Sequence, residues 1–189
     1  YTAKTFGSRR YEIWTMQSSW HTLPAINGVD QAAGSAFCAR DVSFSSRPEA
    51  VRFGLDIASA YPTEAKVTRW RREVVLDRMR REVVLTEGYA LGEARVPNRL
   101  HFVTPRVPDI STAGRVVLPS PIDTATSPGM TRGHVLLYDA KRFTASVEEK
   151  PIQDGRLTPI WGDRLYRIVL TARNTERQGT HRIVVRTAP

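Results

Sequence analysis

The feature that most limits how this chain can fold is an alternation of side-chain polarity with a period of two. Segment 51–58 alternates apolar residues with small or charged ones, the apolar positions being Val51, Phe53, Leu55 and Ile57. That spacing places four apolar side chains on one face of a β-strand. Further segments rich in strand-forming residues are 11–16, 116–118, 135–138, 165–170 and 183–185. The pattern therefore favours a chain of many short strands.

Turn-forming pairs separate these segments, among them Asn27-Gly28, Asp154-Gly155 and Gln178-Gly179. Short strands at a spacing of roughly 8–15 residues are typical of antiparallel sandwiches. We predict an all-β fold, an antiparallel β-sandwich of roughly a dozen strands in two stacked sheets. No linker divides the chain, so residues 1–189 are predicted to form one domain. The predicted inner layer includes Ile13, Phe53, Leu55, Ile57, Val75, Val84, Phe102, Leu137, Ile168 and Val184.

Segment 68–85 is open to two interpretations. It contains the hexamer Arg-Arg-Glu-Val-Val-Leu at 71–76 and again at 80–85, and its Glu and Arg residues are compatible with a helix. The β-branched Val-Val pairs favour strands, and neither copy sustains the i, i+4, i+7 spacing of an amphipathic helix. We therefore predict a hairpin that turns near Asp77-Arg78-Met79.

The charge of the chain indicates an anionic partner. Lys and Arg together number 28 against 19 Asp and Glu, which gives a formal net charge of +9, and 24 of the 28 are Arg. The planar guanidinium matches carboxylate, sulfate or phosphate groups, so an acidic polysaccharide or a nucleic acid would suit it. A GC-rich genome also favours Arg codons, so composition alone does not decide between these explanations.

Several classes of function lack their motifs. The sequence has no Walker loop, no Rossmann glycine fingerprint, no Gly-x-Ser-x-Gly elbow and no His-Glu-x-x-His helix. No apolar run approaches the ~20 residues of a membrane-spanning helix. Cys38 is the single cysteine, which excludes an intrachain disulfide and a thiolate zinc cluster. We predict that Cys38 is buried and inert.

Of the four histidines, His21 stands out, because hydroxyl residues, Trp20 and an Asn-Gly turn surround it. His134 and His181 each follow a turn and begin a strand, so both are predicted to face solvent. Spacing would also allow a zinc site from His21, Asp41 and His101. Separations of 20 and 60 residues match no metal-binding motif, so that trio has little support.

Segment 10–14 followed by segment 18–31, Ser-Ser-Trp-His-Thr-Leu-Pro-Ala-Ile-Asn-Gly-Val-Asp-Gln, resembles the C-terminal β-sandwich of the heparinase II/III family of polysaccharide lyases. The resemblance continues through 55–62 and 70–76, and more weakly at 147–148 and 161–167. It covers most of the chain, and segment 10–31 is its most specific part. Thr22 departs from the family pattern, which usually has Asn after this His.

The resemblance implies that an N-terminal α/α-toroid precedes the sandwich in the complete protein. The chain begins at Tyr1 rather than at Met, and we expect it to be a fragment of such a lyase. Family members cleave uronic-acid polysaccharides by β-elimination, with a base and an acid, typically Tyr and His, mainly on the toroid. The sandwich supplies one wall of the cleft and often a metal ion, commonly zinc. The implied compartment is periplasmic or extracellular, with a cytoplasmic location left open.

The resemblance also assigns roles to individual residues. In this resemblance His21 corresponds to a metal ligand, with zinc as the implied ion, and the partner ligands lie upstream of this chain. Tyr1 and Tyr11 are candidate contributors to the cleft, and the predicted substrate-binding residues are Arg10, Trp20 and Asn27. The expected partners are an acidic polysaccharide and the toroid, with no nucleic acid and no membrane. The alternative is a non-catalytic β-sandwich that binds anionic glycans through its arginines.

Overall fold

A computed structural model, which describes residues 3–120 and 133–188, shows two stacked antiparallel sheets. The strands are β1 (Pro24–Ala25), β2 (Arg40–Ser46), β3 (Ala50–Asp56), β4 (Val67–Asp77), β5 (Glu82–Leu91), β6 (Arg99–Thr104), β7 (Arg115–Leu118), β8 (His134–Leu137), β9 (Phe143–Pro151), β10 (Arg164–Ala172) and β11 (Gln178–Thr187). A short helix, α1 (Thr158–Trp161), lies between β9 and β10. The predicted antiparallel β-sandwich is confirmed.

The two sheets differ in size. The small sheet has the order β1-β6-β10-β9, and the large sheet has the order β2-β3-β4-β5-β11-β8-β7. All strand pairs are antiparallel, as expected where one face of each sheet packs on a core and the other is polar or exposed. In the described ranges, no helix is long and apolar enough to cross a membrane.

The hairpin predicted in segment 68–85 is confirmed as β4 and β5. These strands pair from Asp77 opposite Glu82 to Val67 opposite Leu91, with one shift of register between Val67 and Arg69. Arg81, with φ of 53°, takes the left-handed backbone conformation in the turn. Along β5, buried residues alternate with half-buried ones, which is the period-two pattern of a strand rather than that of a helix.

The core lies between the facing sides of the two sheets. The large sheet contributes Trp70, Leu85 and Ile183, and the small sheet contributes Leu100 and Ile168. Full burial of an apolar side chain of this size contributes about 1.5–3 kcal/mol, so this layer supplies much of the stability of the fold.

The predicted inner layer is correct in part. Ile57 and Ile168 lie in the core. Val75 and Val184 are also buried, but the strand register places them on the opposite face of the large sheet, beside Val84. The prediction failed there because both faces of these strands are apolar, and a period of two does not say which face is inner.

The large sheet extends beyond the small sheet at one edge, and this explains another wrong prediction about burial. Phe53, predicted to lie in the inner layer, is 40% exposed, and Phe44 opposite it is 69% exposed. Both strands lie at one edge of the seven-stranded sheet, whereas the small sheet has four strands. The side chains on the inner face of β2 and β3 therefore lie beyond the edge of the small sheet, which does not cover them.

Two other predictions about burial were wrong. Cys38, expected to be buried, is exposed. His181, expected to face solvent, is 2% exposed and packs between the rings of Tyr89 and Phe143. His181 occupies an inward position of β11, and the turn that precedes β11 in the sequence does not reveal that direction.

The segment predicted as a strand at 11–16 forms short 3-10 turns instead. These turns span Arg10–Glu12, Trp14–Met16 and Ser18–Trp20, and each is closed by a hydrogen bond from the next residue's backbone N–H. The last turn contacts β6 of the small sheet. The aromatic residues of the segment therefore cover the outer face of that sheet rather than pairing as a strand, so tertiary packing overrides local strand propensity.

Candidate functional site

Segment 19–24, which we call the His21 loop, runs from the third 3-10 turn into β1 and is held by side chains from several parts of the sandwich. Three of its backbone carbonyls each accept a hydrogen bond from a different side chain. These bonds run from Arg167 Nη1 to Ser19 O at 2.6 Å, from Arg72 Nη1 to Thr22 O at 2.6 Å and from Tyr61 Oη to Pro24 O at 2.5 Å. Because the three donors come from separate parts of the fold, the loop is fixed on both sides of His21.

The donor Arg72 is itself held by a buried carboxylate. Glu87 is fully buried and accepts hydrogen bonds from Trp70 Nε1 at 2.6 Å and from Arg72 Nε at 2.7 Å. Burial raises the pKa of Glu87, and the Arg72 guanidinium opposes that rise. One edge of the guanidinium pairs with Glu87, and its remaining Nη1 reaches the loop at Thr22. The loop is thereby tied to the core of the large sheet.

His21 itself is exposed, and its Nε2 lies 3.1 Å from the backbone carbonyl of Thr15. A carbonyl only accepts hydrogen bonds, so this contact requires a proton on Nε2. In the neutral ring, Nδ1 then carries the free lone pair. The geometry gives His21 one nitrogen that can accept a proton or bind a metal ion.

Two grooves meet at His21. The first, which we call the His21–Asp30 cleft, has a volume of about 500 Å³ and includes Tyr11, Ser18, His21, Asp30 and Gln31 in its lining. Burial raises the pKa of Asp30, and the nearby Arg167 opposes that rise. The cleft therefore brings together a phenol, an imidazole and a carboxyl, which are the groups that proton-transfer chemistry uses.

The second groove, which we call the tryptophan groove, has a volume of about 490 Å³. Its lining is Trp14, Thr15, Trp20, His21, Thr22, Val103, Ile152, Leu157, Trp161 and Leu165. The rings of Trp14 and Trp20 meet edge to face, with centroids 5.5 Å apart. Cations lie against these rings: Lys150 Nζ is 5.7 Å from the Trp14 centroid and 5.6 Å from that of Trp20. Arg167 Cζ is 4.5 Å from the Trp20 centroid.

Most of the predicted site residues lie around these grooves. Tyr11 and His21 line the His21–Asp30 cleft, and Trp20 and His21 line the tryptophan groove. Arg10 is exposed next to Tyr11, with its Cζ 5.3 Å from the Tyr11 ring centroid. Tyr1 lies outside the described residues.

Asn27 is the predicted substrate-binding residue that the structure places elsewhere. It is 8% exposed, and its backbone has φ of 52°, in the left-handed region. Its Nδ2 donates to the carbonyls of Ala65 and Glu93, both at 2.8 Å, and its Oδ1 accepts from the Arg95 backbone N–H. Both amide protons are used, so the side chain holds the turn and has neither proton left for a ligand.

No metal-binding cluster of three or more His, Cys, Asp or Glu residues occurs in the parts of the chain that the structure describes. Of the trio suggested by spacing, Asp41 lies in exposed strand β2, whereas His101 is buried in β6. His21 fits a metal through Nδ1, as a single ligand that needs partners from outside the described residues. The prediction of a zinc ligand at His21 stays a prediction.

The residues that hold the loop were missed by sequence reasoning. Glu87 lies at an inward position of β5, between Leu85 and Tyr89, and the charged Arg72 lies opposite it on β4. Charged residues at core-facing positions of an alternating strand are a signal of a buried polar network. Nothing in the sequence, however, shows that Arg72 reaches Thr22, because the two are 50 residues apart.

Comparison with known proteins identifies the fold. No protein-family model matches the chain, and no curated protein sequence matches it. A heparinase III gene product of known structure matches with a TM-score of 0.61 and 10% identity, over 93% of this chain and 25% of its own. The same gene product with methylated lysines matches with a TM-score of 0.64 and 11% identity, over 96% and 26%. The chain shares its fold with part of a heparinase III. It spans about a quarter of the length of these structures.

Proposed function

We propose that this chain is the β-sandwich part of a polysaccharide lyase that cleaves acidic glycans by β-elimination. The observation that supports this most is the His21 loop, held by three side-chain donors and placed where two grooves meet. The heparinase III fold supports it as well. The chain matches about a quarter of those structures, so in this proposal the rest of the catalytic site lies on another domain, an α/α-toroid.

In this reaction a base removes the proton on C5 of a uronate, and an acid protonates the departing glycosidic oxygen. The uronate carboxylate must be neutralised for the C5 proton to become acidic enough. In the proposal, the residues of the His21–Asp30 cleft form one wall of that site. Tyr11, the exposed His21 and Asp30 are the groups on this wall that can move a proton. Arg10, next to Tyr11, is placed to pair with a glycan carboxylate.

The zinc interpretation gives His21 a different role within the same proposal, because a zinc ion on Nδ1, with Nε2–H on the Thr15 carbonyl, would leave the ring no nitrogen for proton transfer. His21 Nδ1 would be one ligand, and the other ligands would come from the region that precedes this chain in the complete protein. A bound zinc ion would supply structural rigidity and positive charge at the cleft wall. Arg72, Arg167 and Tyr61 would then keep the imidazole in one position for that ion.

A non-catalytic glycan-binding module is the second candidate, and the net charge of +9 favours it independently. Binding through charge alone falls steeply with salt, whereas binding in a shaped cleft is less sensitive. The salt dependence of binding to acidic and neutral glycans therefore separates a purely electrostatic surface from a specific site.

The deciding experiment is a lyase assay on the chain together with the flanking sequence that its gene encodes. The substrates are heparan sulfate, hyaluronan, chondroitin sulfate and alginate, and the readout is the ultraviolet absorbance of the unsaturated uronate. We expect a rise on at least one substrate. His21→Ala should reduce the rate about 100-fold or more, which is the scale of a lost proton-transfer group. If His21 binds metal, the same variant lowers the metal content and the melting temperature together.

The matched control for His21→Ala is His134→Ala, because His134 is an exposed histidine at the start of β8 and lines neither groove. It should leave the rate, the metal content and the melting temperature unchanged. No absorbance rise on any of the four substrates would overturn the lyase proposal. Equal rates for both variants would remove His21 from the site.

A further inference from the structure

We infer that the tryptophan groove is a saccharide subsite that stacks a pyranose ring of an acidic glycan and selects for its negative charge. This inference rests on the proposed function, because it names the part of the chain that would bind the glycan next to His21. It adds Trp14, Trp161 and Lys150 to the residues expected to contact the glycan.

The groove is built from three parts of the chain. Its floor is the outer face of the small sheet, where Val103 of β6 and Leu165 of β10 point away from the core. One wall is the segment of 3-10 turns with Trp14 and Trp20. The third part is the segment that runs from Ile152 to Trp161 and ends in α1.

The lining suits a sugar ring. Three of the four tryptophans of the chain line this one groove, and the fourth, Trp70, is in the core. A pyranose presents flat faces of C–H groups that pack against indole, and its hydroxyls need nearby polar atoms. Thr15, His21 and Thr22 place such atoms along the groove. A volume of about 490 Å³ lies within the usual range of small-ligand sites, about 300–1,000 Å³.

The groove is open rather than a filled part of the core. Trp161 is 45% exposed at its rim, and Trp14 and Trp20 are each half-buried. Large aromatic side chains left partly exposed around one concave surface are a feature of binding sites.

The charges at the groove favour an acidic sugar. Arg167, against Trp20, is paired with Glu148. Lys150, against both Trp14 and Trp20, forms no ion pair with a carboxylate in residues 3–120 and 133–188. Lys150 is therefore the cation at the groove whose charge is not balanced by a carboxylate. A carboxylate or sulfate on the stacked sugar would provide that balance.

The first test measures binding of tetrasaccharides of heparan sulfate, hyaluronan, chondroitin sulfate and alginate by calorimetry. The emission of the groove tryptophans gives a second readout. We expect at least one tetrasaccharide to bind, and Trp161→Ala to raise its Kd about tenfold or more, as truncation of a central aromatic contact does. Ile160→Ala is the matched control, since Ile160 lies in the same short helix, is 73% exposed and does not line the groove. It should leave the Kd unchanged.

The second test addresses charge selection. Lys150→Gln should raise the Kd for the acidic tetrasaccharide several-fold and leave the Kd for neutral cellotetraose unchanged. Lys141→Gln removes the same charge from an exposed turn that is not part of the groove, and it should change neither Kd. Circular dichroism of each variant verifies that the fold is retained. Trp161→Gln is a second variant for the first test, and it also removes the indole ring.

The outcomes separate this inference from the proposed function. Binding that Trp161→Ala and Trp161→Gln leave intact overturns the groove as the subsite, while the lyase proposal stands on its own assay. The absence of any tetrasaccharide binding also overturns the groove. Stronger binding of cellotetraose than of every acidic tetrasaccharide overturns the selection for charge. Self-association that Trp161→Ala abolishes, without saccharide binding, would identify the occupant as a second copy of the chain.

Discussion

At the scale of single residues, the buried pair of Glu87 and Arg72 gives the sharpest prediction. Glu87→Gln keeps the shape of the side chain but leaves the Arg72 guanidinium buried without its counter-charge. Breaking a buried pair in this way costs about 3–5 kcal/mol of unfolding free energy, which urea denaturation would measure. Glu93→Gln is the control, because Glu93 pairs with Arg95 on the surface, and it should cost less than about 1 kcal/mol. Equal losses would contradict a special role for the buried pair.

The sequence predicted the structural roles of some residues around the site but not those of others. The Asn27-Gly28 pair predicts a turn, and a turn is present, with both residues at positive φ. The Asn27 side chain, however, bonds to groups at Ala65, Glu93 and Arg95, which are 38 to 68 residues away along the sequence. Only tertiary structure brings those groups together. His21 was selected as a candidate from its neighbours in the sequence, whereas the donors that hold its loop could not be found in that way.

At the scale of elements, β2 depends on a contact that passes across β3. Arg71 of β4 donates to the Asp41 carbonyl at 2.6 Å and to Ser43 Oγ at 2.7 Å, in the space left by the missing side chain of Gly54. A Cβ at Gly54 would lie 2.4 Å from Arg71 Nη2, so Gly54→Ala must displace the guanidinium. We expect faster amide hydrogen exchange in β2 and a loss of about 1–2 kcal/mol in unfolding free energy.

Gly88→Ala is the control for this prediction, because a Cβ there would meet its nearest neighbour, the Arg71 carbonyl oxygen, at 4.0 Å. It should leave exchange in β2 unchanged. Unchanged exchange in Gly54→Ala would show that β2 is held by its backbone ladder alone. The element scale also shows what a local pattern can predict. Segment 68–85 was predicted as a hairpin because its Val-Val pairs are β-branched and neither copy of the hexamer sustains the spacing of an amphipathic helix. The β-forming residues of 11–16 instead form turns, since they pack over a sheet rather than joining its edge.

At the scale of the whole molecule, alternation and turn spacing were sufficient to predict a sandwich, because both report on strands with one buried face. They could not show that one sheet has seven strands and the other four, and that difference leaves Phe44 and Phe53 exposed. The strand count of each sheet depends on long-range pairing, such as β5 with β11. The same long-range packing buries histidines in both sheets: His101 in the small sheet and His181 in the large one.

These two histidines make the stability of the sandwich depend on pH. Burial lowers the pKa of each to about 4, and for His181 the nearby Arg142 adds to that effect. The unfolded chain binds protons near the ordinary pKa of about 6.5, while the folded chain does not. Protonation therefore favours the unfolded state, and the stability present above pH 6.5 is lost progressively as the pH falls towards 4.

His181→Phe tests this dependence, because phenylalanine fits the space between Tyr89 and Phe143 and carries no titrating group. Relative to the unmodified chain, the variant should gain about 2 kcal/mol of unfolding free energy between pH 7 and pH 4.5, since each unit of pKa shift corresponds to about 1.4 kcal/mol. Urea denaturation at several pH values measures the difference. His134→Phe, at an exposed position, should show no such gain. A difference that stays constant with pH would mean that His181 has the same pKa in the folded and the unfolded chain, in spite of its burial.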